Sequence, residues 1–296
     1  MGNDQSGQAR DYLDRRLDEL ARFPTYAPFD QLYCRLVVAW SREAGGDAGP
    51  LRAACERLFD FEFWYHGAVV NLGRRERVTQ DDLRSLADKR RINLTALAER
   101  LQVVNPRSPR AHVVRHLLLA ECHYHLREMG AAVAELEAAV EAGGGHPLVH
   151  FALGYNRFDH AREAFSAAQL SEAADLQRAE SEFRSGCFRA VEAFRNGLTG
   201  QAFDAQLHAW IGRTLAAAGL PDEATAALET AARIDPGIFG QPSVMGEPEG
   251  EAAETPEAAS AEAADRGPEP ITEEEVHRFG ELLKRPWTLE DLLGEG

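Results

Sequence analysis

The chain has 296 residues, 44% of them hydrophobic, and its 48 acidic residues outweigh 32 lysines and arginines to give a formal charge of −16. That length suffices for one extended domain or two compact ones with tails, and the hydrophobic share is ordinary for a globular fold. The acidity weighs against a nucleic-acid binder, and no stretch reaches the roughly 20 apolar residues that a membrane-spanning helix needs.

Ala, Leu, Glu and Arg recur throughout and β-branched runs are scarce, so an all-α class is predicted. Lysine occurs only at Lys89 and Lys284, and arginine supplies nearly all the positive charge, a composition expected of a bacterium with a GC-rich genome. Cys34, Cys55, Cys122 and Cys187 sit apart in apolar helical contexts without a CxxC spacing, so they are read as buried, reduced thiols. The first residues contain no apolar leader core, and a cytoplasmic location is expected.

In chain order, residues 1–8 are read as disordered and 9–105 as an N-terminal helical region. Ala9–Phe23 is amphipathic through Tyr12, Leu13, Leu17 and Leu20. Asp30–Glu43 follows, and a third helix opens near Leu51 and carries the aromatic block Phe59–Tyr65. Thr79 is placed to cap a fourth helix, with Asp82 at the capping-box position. Between Arg74 and Arg115 there are 11 basic and 5 acidic residues, a basic middle in an acidic chain. It suits an acidic partner, or the chain's own tail, better than phosphates.

From 106 to 238 one small–large–small pattern recurs, as Ala132/Leu136/Ala139, Ala161/Phe165/Ala168, Ala190/Phe194/Gly197 and Ala224/Leu228/Ala231. First helices are predicted ahead of these marks at Ala111–Arg127, Pro147–Tyr155, Glu172–Arg184 and Ala202–Ala218, which makes four helical pairs. The best-formed unit runs from His208 to Pro236, with Ile211, Gly212 and Leu215, a Gly219-Leu220-Pro221 turn, then Ala224, Leu228 and Ala231. This pattern resembles the tetratricopeptide (TPR) repeat, with His208 where that family usually has Trp and Leu215 where it usually has Tyr. The resemblance implies an α-solenoid of stacked antiparallel helix pairs whose first helices line a partner-binding groove. Carried over by register, that groove comprises Leu117, Glu121, Tyr124, His125, His150, Gln206, Ala209, Arg213 and Ala216.

Residues 239–270 read as a disordered acidic linker, since 246–270 are rich in Pro, Glu and Ala without a large apolar residue. Residues 271–296 then regain an apolar face. There, Thr272 and Glu275 form a capping box, and Phe279, Leu282, Leu283, Trp287, Leu289 and Leu292 are expected to dock a short helix on a partner or on the chain itself. Residues 241–296 carry 15 acidic and 4 basic residues, and so −11 of the net charge.

No G-x-S-x-G, HExxH or phosphate-cradling glycine loop is present, so the chain is read as not an enzyme, without a cofactor. His112/His116 and His146/His150 each have the i,i+4 spacing of metal ligands, but read as ordinary helix histidines, and no metal is expected. The function expected is a cytoplasmic protein–protein adaptor or assembly factor. A chaperone-like holder of a client and a tail-autoinhibited regulatory subunit are the alternatives. The sequence leaves the oligomeric state open.

Overall fold

The structure is a computed structural model. It describes residues 4–23, 26, 28–74, 78–170, 175–201 and 203–239. The described residues are all-helical, with ten α-helices, one 3₁₀ turn at Gly45–Asp47 and no strand. The linker expected over 239–270 lies outside the described residues apart from Phe239. The docking segment with Phe279, Leu282, Leu283, Trp287, Leu289 and Leu292 lies wholly outside them. By contact the described residues fall in two compact units, one containing residues up to Val38 and Arg52–Asn93, the other containing Ala39–Leu51 and the residues from Leu94 to Phe239.

The first unit holds α1 (Asp4–Leu20), most of α2 (Pro28–Arg42) and α3 (Ala48–Gly73), and the first half of α4 (Gln80–Val103). The start of α1 corrects the expectation of disorder over 1–8, since Asp4–Gln8 are helical. No proline interrupts that stretch, and the helix propagates back from its amphipathic part. Leu13, Leu17, Leu20, Tyr33, Leu58 and Phe59 are buried in this unit, the faces that the periodicity assigned to the core. Arg16 bonds Asp60 at 2.8 Å and lies over the Phe63 ring at 4.4 Å. Tyr12 donates to the same carboxylate, and burial, followed by that carboxylate, pushes its phenol up to about 12. The Thr79 and Asp82 side chains each accept the other's backbone N–H at 3.1 Å, the reciprocal box that starts α4.

The second unit reaches back beyond residue 106. The Asp47 carboxylate accepts the Arg107 and Ser108 backbone N–H groups at 2.6 and 3.2 Å, and the Arg110 guanidinium covers Trp40 at 4.3 Å. Leu94, Leu97, Ala98 and Leu101 are buried on the last turns of α4. Six helices follow: α5 (Pro109–His125), α6 (Met129–Glu141), α7 (Pro147–Gln169), α8 (Leu176–Asn196), α9 (Asp204–Ala217) and α10 (Pro221–Ile234). Each packs on the next in chain order. The starts of α5, α7 and α8 are capped by side chains: Ser108 accepts from Ala111, His146 Nδ1 from Leu148 and Asp175 from Arg178. Pro109, Pro147 and Pro221 occupy first-turn positions, where a missing N–H costs nothing.

The four pairs expected between 111 and 237 become three: α5 with α6, α7 with α8, and α9 with α10. Pro147–Tyr155 and the Ala161/Phe165/Ala168 mark are two parts of one 23-residue helix, α7. Glu172–Arg184 and the Ala190/Phe194 mark likewise merge into the 21 residues of α8, apart from the start of that range. No glycine or proline separates Tyr155 from Ala161, so nothing stops the helix there. Gly186 falls between the two parts of α8 but is a packing residue, because a Cβ there would lie 2.4 Å from Ala161 Cβ. All four cysteines are buried thiols outside any disulfide, and burial pushes the Cys187 thiol up to about 11.

Candidate functional site

The first helices of the three pairs, α5, α7 and α9, bring Tyr124, Tyr155 and Trp210 together. Tyr155 meets the Tyr124 ring at 6.4 Å and the Trp210 ring at 5.1 Å, both edge to face. Phe151 and Phe158 brace the indole from α7, with centroids at 6.1 and 6.4 Å. The exposed Arg213 sits one turn beyond Trp210 with its guanidinium 5.2 Å from the indole. Aromatic rings from the three alternate helices α5, α7 and α9 therefore form one continuous ridge, with Tyr124 and Tyr155 half-buried and Trp210 buried at its base.

Charged groups flank it. Asp159, one turn beyond Tyr155 on α7, is 2% exposed. One of its oxygens accepts from Arg162, and the other, Oδ2, has no hydrogen bond among the described residues, with Arg127 Nη1 at 3.8 Å. Arg127 also pairs with Glu163 at 2.8 Å. Burial raises the Tyr155 phenol, and the Asp159 charge raises it further. Trp210 Nε1 and Thr214 Oγ1, one turn apart on α9, are likewise buried without a partner among the described residues.

The structure separates the residues carried over by repeat register. Tyr124, Gln206, Arg213 and Ala216 are half-buried or exposed, and Tyr124 and Arg213 join the ridge. Leu117 and Ala209, at 0% and 3% exposure, are corrected to core residues, because their helices turn those positions onto the neighbouring helix. Glu121 is buried and accepts from His125 Nε2 at 3.0 Å, so each satisfies the other. His150 is also buried, and burial lowers its pKa, with Arg157 and His146 adding to the effect. Tyr155, Asp159 and Trp210 were missed. The signal for the first two was the i,i+4 continuation of α7 past residue 155, which splitting that helix concealed.

The paired histidines do not converge on a metal. His116 bonds Glu135 at 2.6 Å, and His146 caps α7 while its ring meets Trp40. No group of three or more His, Cys, Asp and Glu is placed to hold an ion among the described residues. Nor is any described helix long and apolar enough to cross a membrane.

A second feature lies among α6, α7 and α8. There Val133, Ala161, Phe165 and Phe183 line a cleft of about 520 Å³, with Arg189 at its edge. Phe165 and Phe183 stack at 5.1 Å.

No family model matches the chain, and no curated protein matches it. Among solved structures, the crystal structure of BtubC (BKLC) from P. vanneervenii matches over 84% of this chain and 99% of that one, at 16% identity and a TM-score of 0.24. A likeness at that level carries no argument about fold or function. The reading of the chain as not an enzyme is corrected here. The match to BtubC supplies no non-catalytic relative on which it could rest, and missing motifs do not exclude a reaction, so the chain is not classed as a non-enzyme.

Proposed function

We propose that the chain is a TPR-like helical-repeat protein that binds a protein partner in the cytoplasm, as an adaptor or assembly factor. The repeat reading is supported by side-chain register. Gly154 lies opposite Phe194 and Ala161 opposite Gly186, the order expected when α8 runs back along α7. It is supported also by packing of each helix on the next, which leaves the first helices to form a common face.

The single observation that carries the partner reading is the Tyr124–Tyr155–Trp210 ridge with Arg213 over its end. Tyr and Arg are enriched in binding hot spots, and here the half-buried Tyr124 and Tyr155 and the exposed Arg213 come from three separate helices, braced by the buried Trp210 beneath them. An extended or helical peptide laid across that face would meet aromatic edges in the middle and paired charges at Arg127, Asp159 and Glu163 beside them.

Peptide display against the full-length protein, followed by calorimetry on the tightest peptide, tests this. Tyr124→Ala and Arg213→Glu, checked for native helicity, are expected to weaken binding about tenfold or more each. Affinity unchanged in both variants would remove the ridge as the site.

A further inference from the structure

His146 and His150 stand at i and i+4 at the start of α7, behind a loop of three glycines that leads out of α6. Gly143 turns at φ of 98°, and a Cβ on Gly144 would lie 2.6 Å from the Ala139 carbonyl oxygen, so the loop is pressed against the end of α6. An imidazole then closes the start of α7, where His146 Nδ1 accepts the Leu148 N–H at 3.2 Å. A histidine caps a helix in this way only while that nitrogen is unprotonated, because imidazolium is a donor at both nitrogens. The positive end of the helix dipole also repels an added cation there.

The surroundings of both rings oppose a charge. His150 is 9% exposed, and its Nδ1 has no hydrogen bond among the described residues. A Cβ on Gly197 would come within 3.0 Å of His150 Cβ and 3.3 Å of Leu207 Cδ1, so the end of α8 and the start of α9 close over it. The charges acting on His150 are Arg157, itself paired with Glu137 at 2.7 Å, and His146. At the facing ends of α8 and α9, Arg195 and Asp204 act on His208, and the Asp204 carboxylate accepts the Thr199 and Gly200 N–H groups. His146 meets the Trp40 ring edge to face at 5.7 Å, and the Arg110 guanidinium, paired with Glu43, covers that ring at 4.3 Å. Burial lowers the pKa of each imidazole. The histidines of α5 are placed differently, since His116, His123 and His125 face carboxylates at 2.6, 2.6 and 3.0 Å.

We propose that this junction is an acid-released latch: protonation of His146 and His150 uncaps α7 and frees its first turn, with the glycine loop, from the end of α6. Both imidazoles are neutral in the fold, whereas in the unfolded chain they take up protons below the ordinary value of about 6.5. Their contribution to stability is therefore whole above that value and is lost as pH falls from it toward the lowered folded values. Mild acid opens the junction between the first two pairs while α10, which contains no histidine, stays closed. The latch involves no partner, and it stands or falls independently of the ridge.

Amide exchange by NMR on the full-length chain, expressed as protection factors at about pH 7.5 and about pH 5.5, is the test. Amides 148–151 are expected to lose at least about tenfold of their protection at the lower pH, while those of α10 keep theirs. His146→Asn retains a cap that does not titrate, and is expected to cut the loss to about threefold. Adding His150→Leu, with native helicity verified by circular dichroism, is expected to bring it below about twofold. No loss at 148–151 in the native chain overturns the proposal. So does a tenfold loss that persists in His146→Asn or in the double variant, since the protons would then act elsewhere. An equal loss in α10 overturns it too, because the chain would be unfolding as a whole.

Discussion

Arg127 has φ of 62°, the left-handed region, at the turn between α5 and α6. The turn closes as helix ends with a glycine usually do, with Glu128 N–H donating to the His123 carbonyl and Arg127 N–H to that of Tyr124. A residue with a Cβ costs about 1–2 kcal/mol there. The side chain gives something back through Glu163 and Asp159, but it is 64% exposed, and ion pairs of that kind contribute about 0–1 kcal/mol. Arg127→Gly is therefore expected to be about 1 kcal/mol more stable than Arg127→Ala by denaturant melting, since both lose the pairs and only alanine keeps the strain. Equal stabilities would show that the turn is unstrained. Strain retained beside the ridge fits the use of Arg127 to set the charge next to Tyr155.

At the scale of elements, the pairs are held by positions where one helix admits the other. A Cβ on Gly186 would lie 2.4 Å from Ala161 Cβ, and one on Gly154 would meet the Phe194 ring at 2.5 Å. Gly186→Ala is expected to lower stability by about 1–3 kcal/mol through overpacking. Gly130, in the first turn of α6 where an added Cβ would make only an ordinary 3.5 Å contact with His160, should instead gain up to about 1 kcal/mol from the same change. The reverse order, read from thermal melts, would mean that the α7–α8 contact is looser than drawn. These close approaches also explain what the sequence disclosed. Thr79 and Asp82 were legible because a capping box is a local signal, and the core leucines of α1 because periodicity is local too. The extents of α7 and α8 were not, since a small–large–small face marks close packing without saying where a helix stops. Gly186 looks like punctuation in the sequence and acts as a contact in the fold.

At the scale of the whole molecule, the helices of the second unit from α5 onward pack as neighbours in chain order, and a stack of that kind should lose order by stages. A Cβ on Gly212 would come within 2.6 Å of Leu228 Cγ, so Gly212→Val wedges α9 from α10. Amide exchange in α9 and α10 is expected to quicken at least about tenfold more than in α5 and α6. Equal acceleration throughout would mark one cooperative body rather than an array. The candidate site was legible in the sequence at this scale only in part. Tyr124 and Arg213 follow from repeat register, whereas Tyr155, Asp159 and Trp210 depend on how three helices meet.

The α7–α8 pair restricts how this chain can change in length. Phe165 stacks on Phe183 and Ala161 faces Gly186, so the two helices are matched side chain by side chain. Inserting one residue in either helix turns everything beyond it by about 100° and takes one ring off the other. Seven residues added to each helix at the far end keep both faces in phase and extend the pair by about 10 Å. Descendants of this sequence should therefore differ here in paired steps of two helical turns, while the loops between other helices accept single insertions.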